Sequence, residues 1–253
     1  MSTDRFHAWV GELERRHLAD RTFQEVRRGL QALSSLYVER RGRLATGAAL
    51  EGEGKRAAFA LFYAPLHFLV TRAVVRALEA ARPGPRAIVD LGCGTGAAGA
   101  AWALEVRGRC HVHAVDRSGW AVEEARRNYS VLGVDARAAR GSLFDVPLPG
   151  RGSAILLAWT VNEIDDAGRA RLLDRVLEAG RRGSAALVLE PIARRAVPWM
   201  EGWRAAFEAE GGRADAWRFP AELPETLARL DHAAGLDHRE LTARSLWLPA
   251  SRR

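Results

Sequence analysis

The run Ile88-Val89-Asp90-Leu91-Gly92-Cys93-Gly94-Thr95-Gly96 places a carboxylate just ahead of a turn containing three glycines. Glycine belongs where the backbone must take unusual dihedrals or let a ligand approach without a Cβ in the way. Two ligand chemistries compete for such a turn. Gly94-Thr95-Gly96-Ala97-Ala98-Gly99 also fits the dinucleotide pattern, in which a pyrophosphate rests on a helix start. Asp90 separates the two: a carboxylate at a strand tip repels a diphosphate but attracts the ammonium and sulfonium of S-adenosylmethionine. Asp116, which ends the apolar run His111-Val-His-Ala-Val, can take ribose hydroxyls in either class. Asp145, in Gly141-Ser-Leu-Phe-Asp145, falls where an adenine would lie, with Phe144 available to stack; the same acid reads equally well as an exposed loop carboxylate. The pattern favours S-adenosylmethionine.

A second group of polar residues follows the fourth apolar run. In Ala158-Trp159-Thr160-Val161-Asn162-Glu163, Asn162 and Glu163 are candidates to orient a target group or serve as a base, and equally to start a helix leading into Asp165. Tyr63 and His67 sit four apart on one helical face, where they read either as a lid over the ligand or as core. Trp199, Trp203 and Phe207 have helical spacing and read as packing, while Trp217 and Phe219 either line a cleft or fill a C-terminal layer. Cys93 and Cys110 are too few for a disulfide framework or a thiolate metal site, so both read as buried small side chains and no metal is expected.

These residues need a scaffold. From residue 86, short apolar runs at 87–91, 111–115, 153–159 and 184–190 alternate with helical spacing at 97–105, 120–129 and 168–180. Such alternation implies an open α/β fold, Rossmann-like, whose mostly parallel sheet carries helices on both faces. The glycine turn then lies at the C-terminal edge of the sheet, where open α/β proteins bind ligands. Ahead of this unit, residues 3–42 look helical, with Thr22 placed to cap; a Gly-containing stretch at 47–54 precedes an apolar helix over 56–81. After Glu190 we expect helices near 199–210 and 224–234, and a terminal strand or pair between 236 and 248.

With 253 residues, one main domain with an extension is expected: 1–55 as a helical N-terminal extension and 56–253 as the ligand-binding domain. The apolar stretch at 57–70 is too short to span a membrane, and the N-terminus lacks a secretory pattern, so a cytoplasmic location without membrane partners is expected. A net charge of +7 invites a nucleic-acid reading. The charge is dispersed, however, and Lys55 is the only lysine among 38 basic residues, which points to a coding bias. Arginine clusters at 15–16, 27–28, 40–43 and 194–195 are the places where a basic face would arise.

Asp-Leu-Gly-Cys-Gly-Thr-Gly at 90–96 is similar to the first motif of class I methyltransferases, Ala-Val-Asp116 to their second, and 158–163 to their fourth-strand motif. The resemblance covers about residues 86–190. It implies a class I methyltransferase fold and S-adenosylmethionine as methyl donor, with Tyr63, Asp90, Gly92, Cys93, Gly94, Gly96, Asp116, Arg117, Phe144, Asp145 and Trp159 as cofactor contacts and Asn162 and Glu163 as catalytic candidates. A narrower likeness is to the methyltransferase-like proteins of the mitochondrial and bacterial small ribosomal subunit. It rests on Leu33-Ser34-Ser35-Leu36-Tyr37, Ala60-Leu61-Phe62-Tyr63-Ala64-Pro65 and Val161-Asn162-Glu163-Ile164. It implies ribosomal RNA, or the small ribosomal subunit, as partner. That family's C-terminal cysteine set has no counterpart here. A small-molecule methyltransferase, or a ribosome-assembly factor that binds the cofactor without catalysis, are the alternatives.

Overall fold

A computed structural model describes residues 2–39 and 51–250. Leu36 and Tyr37 lie within a described helix without described side chains, and the arginine cluster at 40–43 and residues 47–50 of the stretch at 47–54 lie outside the described residues.

A single sheet of seven strands, among the described residues, organises the molecule. Strands β1 (Ala87–Leu91), β2 (His111–Asp116), β3 (Ala136–Arg140), β4 (Ser153–Ala158) and β5 (Ala185–Glu190) are parallel, and β7 (Glu240–Leu248) and β6 (Arg213–Pro220) complete the order β3-β2-β1-β4-β5-β7-β6 with antiparallel pairing. The strand order reverses between β1 and β4. At that switch point two successive connections leave in opposite directions and open a crevice at the C-terminal strand ends.

Period-two alternation divides the strands between two cores. Ile88 packs into the larger core with helices α1 (Ser2–His17), α2 (Phe23–Glu39), α4 (Ala64–Ala77), α5 (Ala97–Glu105) and α6 (Gly119–Leu132); Val89 and Leu91 face the other core with α7 (Asp166–Arg181) and α8 (Met200–Ala209). Asp90 shares the face of Ile88 and is therefore directed toward α5 and α6.

The expected helix at 3–42 is two helices. Residues 18–22 break it because Thr22 and Glu25 form a reciprocal capping box: the Thr22 hydroxyl accepts from the Glu25 N–H at 3.3 Å, and the Glu25 carboxylate accepts from the Thr22 N–H at 2.7 Å. The apolar helix expected over 56–81 starts three residues earlier and ends at Ala77. It continues through α3 (Glu53–Ala58), a π-helical turn (Phe59–Tyr63) and α4, long and apolar enough to cross a membrane, yet 72% of its most apolar window is buried in the protein. Trp199 precedes α8, whose Trp203 and Phe207 are core as the spacing implied. The short helix near the C-terminus is α9 (Glu225–Ala233).

Strand β6 escaped the sequence pattern. Its residues alternate between exposed and half-buried on an edge, so it lacks the apolar run that marks an interior strand.

Candidate functional site

A cavity of about 1040 Å³ opens along the C-terminal edge of the parallel strands. Its walls are the glycine turn, the ends of β2 and β4, the segment after β3, the π-helical turn with α4, and the start of β7.

The glycine turn is fixed from three sides. Gly92 and Cys93 N–H groups both donate to the Val115 carbonyl, at 2.9 and 3.0 Å. Asp116 Oδ2 accepts from the Gly94 N–H at 2.9 Å, while Oδ1 accepts from the Ser118 N–H at 2.8 Å. The Thr160 hydroxyl donates to the Gly92 carbonyl at 3.1 Å, joining the turn after β4 to the turn after β1. Gly94, at φ 52°, faces open cavity: a Cβ there would meet only the Phe59 ring, at 3.8 Å. Gly96, expected among the ligand contacts, is not part of the cavity wall; it caps α5 with its back to Tyr129.

Asp90 lies beneath this turn, 1% exposed, and still lines the cavity. Neither carboxylate oxygen has a well-formed hydrogen bond. Burial pushes its pKa up to about 7, and the nearby Asp116 carboxylate adds to the rise; the Gly99 N–H and Tyr129 hydroxyl, the nearest donors, oppose it. Gly99, the third glycine of the dinucleotide-like pattern, serves the acid rather than a pyrophosphate. A Cβ there would sit 2.5 Å from Asp90 Oδ2. The carboxyl thus occupies the helix-start position where a diphosphate would need positive potential.

Helix α1 reaches the same turn through side chains. Trp9 Nε1 donates to Asn128 Oδ1 at 2.9 Å, and Asn128 Nδ2 donates to the Thr95 carbonyl at 2.9 Å. Beside them the Glu124 carboxylate pairs with Arg16 at 2.7 Å and His17 at 2.9 Å. Burial alone would raise the Glu124 pKa, but those two partners hold it below the usual carboxylate range.

The opposite wall is aromatic. The π-helical turn and α4 present Phe59, Tyr63 and His67 to the cavity in succession, and Trp159 stacks on His67 with ring centroids 3.7 Å apart and planes 6° apart. Trp159 has φ 55°, a left-handed conformation costly for a residue with a Cβ and typical of functional sites. Burial pushes His67 down to about 3, keeping it neutral, and Tyr63 up to about 12. Tyr63 and His67 both line the cavity, and Tyr63 also packs against the larger core.

Asn162 and Glu163 form a short 3₁₀ turn, Val161–Glu163, on the cavity wall. The Asn162 N–H donates to the Glu190 carboxyl at 3.1 Å and its Oδ1 accepts from Trp199 Nε1 at 3.4 Å, so the side chain is partly committed to holding its own turn. Asp165 then caps α7 through the Gly168 N–H. Glu163 pairs with Arg117 at 3.3 Å across the cavity. Desolvation in the cleft raises the Glu163 pKa to about 7, with Arg117 opposing. Glu190, fully buried at the tip of β5, is pushed up to about 8 by burial, and its Oε2 has no partner.

Phe144 and Cys93 line the cavity, whereas Asp145 does not. Asp145 is an exposed turn residue, as the competing reading had it, because the chain reverses at Ser142–Asp145 and turns that side chain outward. Phe59, Thr160 and His238 line the cavity and Asn128, Tyr129, Glu190 and Asp231 support it; none was singled out from the sequence. Only Phe59 carried a signal, four residues ahead of Tyr63 on the same apolar helix.

Residues 88–183 match a family model described as a methyltransferase domain. That segment is similar to the methyltransferase-domain family, and the chain has the Rossmann-like fold of class I methyltransferases. Its fold is shared with a putative O-methyltransferase from Nostoc punctiforme PCC 73102, at 15% identity over 87% of this chain and 72% of that chain, with a TM-score of 0.56. Mitomycin 7-O-methyltransferase MmcR aligns at 16% identity over 98% of this chain and 68% of that chain, TM-score 0.53. The plantazolicin methyltransferase BpumL in complex with SAH aligns at 11% identity over 87% of this chain and 98% of that chain, TM-score 0.55. No curated protein matches in sequence. The fold places the glycine turn, Asp90, Asp116 and the segment after the fourth strand around one cavity.

Proposed function

We propose that this protein is an S-adenosylmethionine-dependent methyltransferase acting on a small molecule. The observation that carries the cofactor is Asp90, a buried carboxyl without a good hydrogen bond at the wall of a large cavity, which suits a cationic amino-acid tail. The open face of Gly94 gives that tail backbone to lie against. Asp116 keeps acceptor capacity for ribose hydroxyls beyond its two backbone bonds, and Phe144, Tyr63, Cys93, Arg117 and Trp159 supply the remaining walls. When bound, the cofactor supplies an electrophilic methyl group on a positively charged sulfur. The chain's own part is mainly positioning: the rigid turn and the stacked His67–Trp159 pair hold one reactant while excluding water from an apolar wall. Asn162 and Glu163 are assigned to the acceptor side of that position, with Glu163 able to exchange a proton near neutral pH.

Two observations support a small acceptor over ribosomal RNA. The cavity is of a size for a cofactor with a modest second ligand. Many arginines are also balanced within the chain: Arg15 and Arg16 pair with Glu12, Arg76 with Glu105, Arg181 with Glu210 and Arg204 with Glu208. A phosphate backbone needs basic groups that are not already paired. The names of the three structural neighbours are in keeping with small-molecule and peptide acceptors.

Residues 1–55 are assigned as a helical N-terminal extension to the domain at 56–253, with α1 bracing the glycine turn through Asn128. The test is transfer of labelled methyl groups to a low-molecular-weight cell extract and, in parallel, to ribosomal subunits. Label in the extract fraction alone is expected; label in ribosomal RNA alone would overturn the acceptor assignment.

A further inference from the structure

At the end of the cavity away from Asp90 stands a pair of side chains that cofactor binding does not use. His238, between α9 and β7, lines the cavity. Its Nδ1 lies 2.5 Å from Asp231 Oδ1, and its backbone N–H donates to Asp231 Oδ2 at 2.8 Å. Asp231 is 6% exposed, whereas a third of the His238 side chain remains accessible. The Phe62 ring meets the imidazole edge-on at 5.7 Å. One carboxylate thus holds both the His238 backbone and one edge of its ring. An acceptor at Nδ1 selects the tautomer protonated there and leaves the Nε2 lone pair on the ring edge away from Asp231.

Sheet register places this pair. Glu190, the last residue of β5, is opposite Arg244, so the chain upstream of Arg244 runs past the strand ends and Glu240–Thr242 wall the cavity. In the order β1-β4-β5-β7, β7 lies three spacings from β1, roughly 14 Å at ~4.8 Å per strand. Phe62 lies against His238 behind the wall, and the cavity lining includes apolar Leu66, Val70, Ile192 and Leu241 and aromatic Phe59 and Tyr63. The neighbouring charges are paired: Asp237 with Arg239, and Glu240 with Arg218. Glu163 is engaged across the cavity by Arg117.

From this arrangement we infer that His238 is a general base for a hydroxyl acceptor, with Asp231 as its positioning residue, and that the acceptor is an apolar aromatic molecule bearing that hydroxyl. The inference rests on the methyltransferase reading above and deepens it. A neutral amine already offers a lone pair, whereas a hydroxyl is a weak nucleophile until its proton is taken. The acceptor O–H bond breaks toward His238 Nε2 as the oxygen bonds to the methyl carbon. The carbon–sulfur bond breaks with its electrons left on sulfur, giving a neutral thioether and an imidazolium that returns its proton to solvent.

The test compares wild type, His238→Gln and Asp231→Asn in three measurements: calorimetric affinity for S-adenosylhomocysteine, ring ¹⁵N shifts of His238, and methyl transfer to phenol, catechol and 2-naphthol. Affinity for S-adenosylhomocysteine should stay within about twofold in all three proteins. The neutral imidazole of wild-type His238 should carry its proton on Nδ1, facing Asp231. Transfer should fall ~10²–10⁴-fold in His238→Gln, in kcat more than KM, with loss of the acid limb of the pH profile. Asp231→Asn should lose ~10–100-fold and shift the proton to Nε2. A wild-type proton on Nε2, an unchanged kcat in His238→Gln, or a wild type that binds S-adenosylhomocysteine but methylates no phenol overturns the inference while leaving the cofactor reading intact. A wild type that fails to bind S-adenosylhomocysteine overturns both.

Discussion

At the β1–β2 end of the cavity the wall is mostly backbone, and at the β5–β7 end it is mostly side chain. The glycine turn is pinned by the Val115 carbonyl, one oxygen of Asp116, the Thr160 hydroxyl and, through Asn128, helix α1. His238, just ahead of β7, hangs instead on Asp231 and on the edge-on contact with Phe62. Backbone held from many directions can place a constant ligand, the cofactor, within tenths of an ångström. Side chains on a C-terminal segment can be exchanged without disturbing that turn, so acceptor choice is separable from cofactor binding.

The sharpest way to break this comparison is Gly94→Val. A β-branched residue at φ 52° is strained, and its side chain would fill the cradle facing Phe59, so S-adenosylhomocysteine affinity should fall by at least ~100-fold while a conservative change at Leu241, Leu241→Met, leaves it within about threefold. Equilibrium binding on both variants reads the contrast directly.

Trp9→Ala should cost ~3–5 kcal/mol in denaturant unfolding, because Trp9 is fully buried and its indole also holds Asn128. Cofactor affinity should weaken with it even though Trp9 does not line the cavity, since Thr95 loses its brace.

A third test uses the sign of a pKa shift. Glu190 has its folded-state pKa raised from 4.5 to about 8, so its ionisation opposes folding: stability is highest below pH 4.5 and is lost as pH rises toward 8. Glu190→Gln keeps an acceptor for the Asn162 N–H and removes that penalty. The variant should be more stable than wild type by on the order of 3 kcal/mol at pH 9, with little difference at pH 4, measured by urea melts at both values. The smallest effect is expected for Arg117→Ala, whose ion pair with Glu163 is half exposed: unfolding free energy should move by less than about 1 kcal/mol, while the Glu163 pKa rises further above about 7.

Legibility in the sequence followed the strength of local constraint. The interior strands β1, β4 and β5, and to a lesser degree β2, are buried and announce themselves as short apolar runs, whereas the edge strand β3 buries only Ala138 and does not; the turn after β1 needs glycines that stand out in any context. Asp90 and Asp116 could be placed because each terminates such a run. Their depth could not: that Asp90 lies under the turn depends on α5 and α6 bringing Gly99 and Tyr129 against it. Asp145 and Gly96 fit the pattern but face away from the cavity, because which way a turn residue points is set by the whole chain. Strand β6 alternates on an exposed edge, and the Asp231–His238 pair joins a helix to a loop, so neither has a spacing that marks it. The break between α1 and α2 was half visible in Thr22, whose partner Glu25 completes the cap three residues on.

The most direct test of the account is calorimetry with S-adenosylmethionine and NAD on wild type and Asp90→Asn between pH 6 and 8. With its pKa raised to about 7, Asp90 must lose a proton to hold a cationic tail, so wild-type affinity for S-adenosylmethionine should strengthen as pH rises through that range. Asp90→Asn should bind ~30–150-fold more weakly and without that slope, and NAD should not bind either protein. Tight NAD binding, or an Asp90→Asn variant with unaltered affinity and pH dependence, would contradict the assignment.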